Sequence, residues 1–262
     1  MSTTNHPSQQ GLDLAAALEV LSHRIQGLTD AVSALSLGPD RVFTFAYADT
    51  LVRMHLPFAP RDDVQRHILR HGGFYETPQL AEIRPMIPPG AVIADIGANI
   101  GNHTVFFALL CGAARIHAFE PMRVTSGILR RNLALNGIED RVAVHDVALG
   151  PASGTAALLR YPAGNIGAAA VDPARPGAYR VEPLDAFGLE RLDFVKMDVE
   201  GGFVGALEGA AGTLARCRPP VWIELRERQN EIEPGTAALA KLGYRHARRI
   251  AGSRNDHLFL PE

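Results

Sequence analysis

Five acidic residues close five successive apolar runs: Asp95 after Val92 to Ala94, Glu120 after Arg115 to Phe119, Asp146 after Val142 to His145, Asp198 after Leu192 to Met197, and Glu224 after Val221 to Ile223. Singly, each is an ordinary helix cap or turn residue. Taken as a row they trace one edge of a sheet, because ligands of an open α/β sheet sit outside the carboxyl ends of its strands. Unpaired like charges gathered there repel, so the row calls for a ligand. Asp95 runs into Ile96-Gly97-Ala98-Asn99-Ile100-Gly101-Asn102-His103-Thr104 and then the apolar Val105 to Leu110. A strand, a tight small-residue turn and a helix start leave backbone N–H groups pointing at whatever lies over the turn. Asn99 stands where a third glycine is expected, and Asn tolerates positive φ better than other side chains. Gly97 and Gly101 are four apart rather than in the G-x-G-x-x-G order, which argues against NAD.

The charges narrow the ligand. A carboxylate ending the second strand can accept from both hydroxyls of a ribose, and one ending the third from an exocyclic purine amine. Glu120 and Asp146 are so placed. No Lys or Arg lies in Gly97 to Thr104, so nothing is dedicated to a pyrophosphate. S-adenosyl-L-methionine fits those limits as cofactor. A sulfonium methyl is already electrophilic, so the protein must position an acceptor and take its proton. Asp198, Glu200 and Glu224 are the candidates for that base: the first two share a side by period-two alternation, and the third ends the neighbouring strand. Each has another reading. Asp198 can hold the cofactor amine, Glu200 can cap the following helix, and the three together could take Mg²⁺, which no Asp-Asp pair or His reinforces. Thr104 reads as a helix cap and His103 as exposed.

These residues need strands that alternate with helices. From Ala91 onward they do, which is how a mostly parallel sheet reads. Helices are expected over 124–135, 203–215 and 234–242, with Asn136-Gly137 ending the first. The short link between the strand at Tyr244 and that at 257–260 allows only an antiparallel pair. The stretch after Gly150 adds a hairpin, and Tyr161 to Gly177, rich in Pro, Gly and Ala, reads as an irregular surface loop. Upstream, residues 38–90 form a preamble: a hairpin over Val42 to Leu56 turning near Ala48-Asp49-Thr50, a helix from Asp62 to His71 capped by Asp62 or Asp63, and a helix toward Met86. Residues 1–37 hold a polar tail and a helix with Leu14, Leu18, Leu21, Ile25, Leu28, Val32 and Leu35 at alternating intervals of four and three. That stripe makes either a coiled-coil homodimer through residues 14–35 or a helix lying on its own domain.

Bulk properties bound the rest. The chain has 262 residues and a formal net charge of −2 with both signs interspersed, which gives no electrostatic footprint for nucleic acid. No apolar run approaches the ~20 residues of a membrane span, and the start MSTTNHPSQQ lacks the order of a signal peptide, so a cytoplasmic protein without membrane partners is expected. Cys111 and Cys217 show neither metal spacing nor a disulfide framework.

The run DIGANIGNHT, then FEP, the helix bearing Asn132 and Asn136, KMDVEGG, and Pro220 with Glu224 together resemble the FkbM family of S-adenosylmethionine-dependent methyltransferases. The resemblance covers Phe74 to the C-terminus, with Gly73-Phe74-Tyr75-Glu76 as a matching lead-in. It implies the Rossmann-like class I methyltransferase fold over 91–262, a seven-stranded, mostly parallel sheet with an antiparallel C-terminal hairpin. It also implies O-methylation of a hydroxyl on a sugar or secondary metabolite, so that the partner is a small-molecule or glycan acceptor. Carried over, Gly97, Asn99 and Gly101 serve the methionine part of the cofactor, Glu120 the ribose, and Asp146 with Val147 the adenine, while Asp95, which ends the strand before the turn, is placed with the cofactor as well. Glu76 approaches the cofactor or merely neighbours a helix N-cap. Phe203 departs from the family, where many members carry a second Glu. The competing functions are a nucleotide-dependent oxidoreductase on the same sheet and a non-catalytic cofactor-binding or scaffold protein.

Overall fold

The computed structural model describes residues 9–161, 165–172 and 175–262. The polar tail ahead of Gln9, and Pro162-Ala163-Gly164 and Pro173-Ala174 of the expected loop, lie outside the described residues. In chain order the elements are α1 (Gln9–Leu35), β1 (Val42–Tyr47), β2 (Thr50–His55), α2 (Asp63–His71), α3 (Thr77–Ile83), β3 (Val92–Ile96), α4 (Asn102–Leu110), β4 (Arg115–Phe119), α5 (Arg123–Asn136), β5 (Val142–His145), β6 (Ala148–Leu149), β7 (Gly154–Arg160), β8 (Ala170–Asp172), β9 (Tyr179–Glu182), β10 (Phe194–Met197), α6 (Phe203–Glu208), α7 (Ala211–Cys217), β11 (Val221–Glu224), α8 (Ile232–Lys241), β12 (Tyr244–Arg249) and β13 (Asp256–Pro261).

Seven strands form the central sheet in the order β12-β13-β11-β10-β3-β4-β5. Those from β5 to β11 are parallel, and β13 inserts antiparallel between β11 and β12, as the short C-terminal link requires. Strand order reverses between β3 and β10, which sets the ligand crevice over the Gly97 turn. Parallel strands are covered on both faces, and alternation divides their side chains between two cores. Ile93, Ile116, Ala118 and Trp222 join α4 and the β1–β2 hairpin in one, while Ala94, Ile96, Val195, Met197 and Ile223 join α6, α7 and α8 in the other. On α4, Val105, Phe106, Phe107 and Ala108 are all buried, so this helix is apolar almost all round because the sheet and the preamble cover opposite sides of it.

The preamble follows expectation, with Asp62 accepting from the Gln65 N–H to cap α2. The helix toward Met86 stops at Ile83 and continues as a 3₁₀ turn through Met86. Two asparagines on α5 staple this preamble to the central domain. Asn132 accepts from the His55 N–H (2.6 Å) and donates to the Ile100 carbonyl (2.8 Å), while Asn136 accepts from the Arg53 N–H and donates to its carbonyl.

Two expectations need correction. The helix over 203–215 is two helices, because a Cβ on Gly209 would lie 2.0 Å from the Gly150 carbonyl oxygen and Asp185 caps the second, accepting from Gly212 and Thr213. The loop Tyr161 to Gly177 is not irregular throughout. β8 pairs antiparallel with β7, which pairs with β9, which runs parallel to β6, so these four strands build a second sheet beside the crevice.

Candidate active site

The turn after β3 is shaped by two glycines. Gly97 has φ +77°, and a Cβ there would lie 1.8 Å from the Asp198 carbonyl oxygen, so a side chain would push β3 and β10 apart. Gly101, at φ +87°, starts α4, and its Cβ would meet Leu129 at 2.4 Å. Asn99 adopts φ +50°, the conformation expected of it.

Beneath the turn the strand register builds a charged row. Lys196 stands beside Asp95 on one side and Trp222 on the other. All three side chains are buried. The Lys196 ammonium donates to the Gly97 carbonyl at 3.1 Å and lies 3.7 Å from both Asp95 and Asp198. Burial alone would lower its pKa, but Asp198 and then Asp95 outweigh burial and raise it, so it stays charged. Asp95 accepts from the Thr104 hydroxyl at 2.5 Å and is fully buried. Thr104 is therefore no helix cap. It spends its hydroxyl on Asp95, and the pair joins the first turn of α4 to β3. His103 is 6% exposed rather than open to solvent. Its ring packs edge-on against Trp222, and its Nε2 stands 3.1 Å from a Glu76 carboxylate oxygen.

Glu76 itself sits in the left-handed region at φ +58° and makes no capping bond to α3, a strain that a side chain held elsewhere can explain. Tyr75 is pinned beside it, its N–H and C=O both bonded to the Asn102 side-chain amide.

A crevice opens over the turn, lined by Gly97, Asn99, Glu120, Val147, Asp198 and Glu200, and by apolar Met122, Leu149 and Val171. Glu120 is 6% exposed, and its two oxygens accept from the Asn99 and Met122 N–H groups, each at 2.9 Å. Burial raises its pKa against those bonds. The Oδ1 of Asn99 is buried without a hydrogen-bond partner. Gly167 and Ala169 to Val171 form the opposite wall, and Asp62 anchors that segment by accepting from the Ile166 N–H at 3.1 Å. These four residues of the expected loop thus wall the crevice.

Sequence reasoning placed Asp95, Gly101, Glu76 and Asp146 with the cofactor, and none of the four lines this crevice. Asp95 lies under the turn, Gly101 packs on Leu129, and Glu76 faces His103. Asp146 turns outward into a two-pronged pair with Arg130, at 2.9 and 3.0 Å. Its neighbour Val147 does line the crevice.

The three candidate bases do come together, around a residue the sequence reading passed over. Arg226 bonds Glu200 and Glu224, the latter at 2.5 Å, and lies 3.8 Å from Asp198. Glu200 also takes Arg160 at 2.5 Å, so it is an ion-pair partner and not a cap for α6. Burial raises the Glu224 carboxyl to about 8, with help from neighbouring Asp198. For Asp198 burial works upward too, but Lys196 and the hydrogen bond from Glu224 outweigh it and lower the pKa. The two carboxyls therefore titrate as a pair that holds one proton between them. Lys196 and Arg226 had a signal: one basic residue inside an apolar strand, and one two positions beyond a strand-ending glutamate, each amid carboxylates that need a counter-charge.

A sheet of this order, with a glycine turn at its reversal and carboxylates closing the flanking strands, defines a Rossmann-like class I methyltransferase. Residues 95–246 match the family model of the methyltransferase FkbM domain, and the chain belongs to that family. It is 30% identical over 159 residues to the methyltransferase sdnD of Sordaria araneosa, covering 47% of this chain and 61% of that protein. It is 38% identical over 86 residues to the 31-O-demethyl-FK506 methyltransferase FkbM of Streptomyces tacrolimicus, covering 32% of this chain and 28% of that one. The chain therefore spans less than two thirds of either curated relative. The crystal structure of methyltransferase FkbM from Methylobacillus flagellatus KT shares the fold at a TM-score of 0.50 and 17% identity, covering 79% of this chain and 62% of that one. Among the described residues no helix is long and apolar enough to cross a membrane.

Proposed function

We propose that the chain is an S-adenosyl-L-methionine-dependent O-methyltransferase acting on a hydroxyl of a small molecule or glycan, with Asp198 as its general base. The observation that carries this reading is the Asp198 carboxylate, 40% exposed on the crevice wall, with the Lys196 ammonium 3.7 Å and the Arg226 guanidinium 3.8 Å away and Glu224 held beside it. The crevice suits the cofactor. Glu120 keeps free lone pairs for two vicinal hydroxyls, Val147, Leu149 and Val171 offer an apolar slot for a purine, and the orphaned Asn99 Oδ1 can accept from an ammonium. Bound there, the cofactor supplies an electrophilic methyl group.

The rest falls to the chain. Lys196 fixes the Asp198 carboxylate from below, and Arg226 holds Glu224 beside it. An acceptor hydroxyl reaching Asp198 gives up its proton as its oxygen takes the methyl group. Glu200, gripped by Arg160 and Arg226, positions that guanidinium rather than moving a proton. The relative acting on demethyl-FK506 favours an oxygen acceptor.

Calorimetry with S-adenosylhomocysteine and NAD tests the cofactor. S-adenosylhomocysteine should bind, and NAD should not. Glu120→Ala should weaken the former by roughly 10- to 100-fold, the loss of a charge-assisted acceptor of about 1.5–3 kcal/mol. Unchanged affinity in the folded variant removes Glu120 from the site, and tighter binding of NAD overturns the cofactor.

A further inference from the structure

The apolar stripe of α1 is not covered by its own domain. Leu14, Leu18, Leu21, Ile25, Leu28, Val32 and Leu35 are all 52% to 73% exposed. The face that does touch the domain is a different one. Asp30 is buried against Arg70 of α2, both of its oxygens bonded to that guanidinium, and Ala34 is buried with its carbonyl accepting from Arg41 at 2.5 Å. With Leu14, Leu21, Leu28 and Leu35 at heptad d positions and Leu18, Ile25 and Val32 at a, Asp30 falls at f and Ala34 at c. Those positions lie away from a two-stranded seam. The domain grips the back of the helix and turns the seam outward.

We infer that α1 of a second copy of this chain covers the seam, as a parallel two-stranded coiled coil that holds two methyltransferase domains side by side. Three observations choose this occupant. Leucine at every d position, with β-branched Ile25 and Val32 at two of the three a positions, is the pattern that favours two parallel strands. The e and g positions are Ala15, Ala17, Ser22, Thr29, Ala31 and Ser36, with Arg24 the single charge, so two identical seams close without like charges meeting. The remaining charges of the helix are Asp13, Glu19 and Asp30, an acidic balance that disfavours the anionic lipid surface an amphipathic helix could otherwise seek.

Area decides the orientation. Seven such side chains at these exposures offer on the order of 700 Å² per helix, of which a two-stranded seam covers only part, so the seam alone stays below the ~800 Å² per partner of a stable interface. Anchored at its C-terminal end, a parallel pair sets both domains next to each other, where their surfaces add to the seam. An antiparallel pair would hold them at opposite ends of a coil roughly 33 Å long, with nothing added.

Light scattering of the full chain at about 10 μM should give the mass of two chains. Ile25→Asp, at an exposed position remote from the crevice, should give one chain with S-adenosylhomocysteine affinity unchanged. Leu14→Cys, oxidised under native conditions, should yield covalent dimers well above the wild-type background from Cys217, because d positions face each other only in the parallel arrangement. A single-chain mass for the wild type overturns the inference, as does a dimer that survives Ile25→Asp. Binding of the monomer to lipid vesicles through this helix would also overturn it, and a dimer that Leu14→Cys never cross-links overturns the parallel orientation.

Discussion

The two flanks of β3 treat the same kind of residue in opposite ways. On the β4 flank, Glu120 is held by backbone N–H groups of the two turns it joins. On the β10–β11 flank, Asp198, Glu200 and Glu224 are held by side-chain cations, and two of them share a proton. Backbone donors cannot move without unfolding a turn, so the first arrangement presents fixed acceptors, which is what binding needs. Ammonium and guanidinium partners can shift, and a shared proton can be given up, so the second suits proton transfer. A strand-ending carboxylate has no role of its own; its partners assign one.

The largest effect should come from breaking the proton-sharing flank. Asp198→Asn should lower kcat by about 10²–10⁴ while S-adenosylhomocysteine affinity holds, measured by turnover and calorimetry on one preparation. Equal loss of affinity would make Asp198 a cofactor ligand instead. Glu224→Gln sharpens the point through pH. A carboxyl whose folded pKa is raised to about 8 binds more protons folded than unfolded, so its contribution to stability is full at low pH and is lost as pH rises toward 8. The variant should flatten that part of the stability profile in denaturant melts between pH 5 and 8.5, where no proton is left to lose.

Next in size is the row under the turn. Lys196→Met leaves Asp95, fully buried, without its counter-charge and should cost about 3–5 kcal/mol in denaturant unfolding, as for any broken buried ion pair. A loss below about 1 kcal/mol would show that the Thr104 hydroxyl alone satisfies Asp95, and that Lys196 serves only the Gly97 carbonyl.

The sequence carried the sheet well, because strands buried on both faces read as largely apolar runs and their ends were marked by acid or glycine. The Gly97 turn was legible for the same local reason. What the sequence hid was partnership across the chain. Arg226 also reaches Glu200, Lys196 reaches Asp95 and the stapling Asn132 reaches His55, each dozens of positions away, and neither spacing nor periodicity reports such distances. The small sheet of β6 to β9 was legible only as a hairpin after Gly150, because its pairings span the Pro- and Gly-rich stretch that marks a loop locally. His103 looked exposed because its neighbours are polar, yet Trp222, brought from β11, covers it.

The smallest effect should fall on Asp146, where the comparison of flanks is most exposed to disproof. It ends β5 on the binding flank, yet it behaves like the other flank, paired with a side-chain cation. Partial burial would raise its pKa, but Arg130 and Ser126 outweigh that and hold the carboxyl below the usual aspartate range. Both members of the pair are 45% exposed, so the bridge is worth only about 0–1 kcal/mol. Asp146→Ala should therefore move the unfolding midpoint little and leave S-adenosylhomocysteine affinity intact, since Val147 and not Asp146 reaches the crevice. Arg130→Met separates the alternatives. With Asp146 outside the site, freeing it changes nothing. With Asp146 turning inward to accept from the purine amine, removing Arg130 releases it for that bond, and affinity should rise in Arg130→Met as clearly as it falls in Asp146→Ala. Opposite shifts in those two variants would return Asp146 to the binding flank and show that its pairing with Arg130 competes with the ligand.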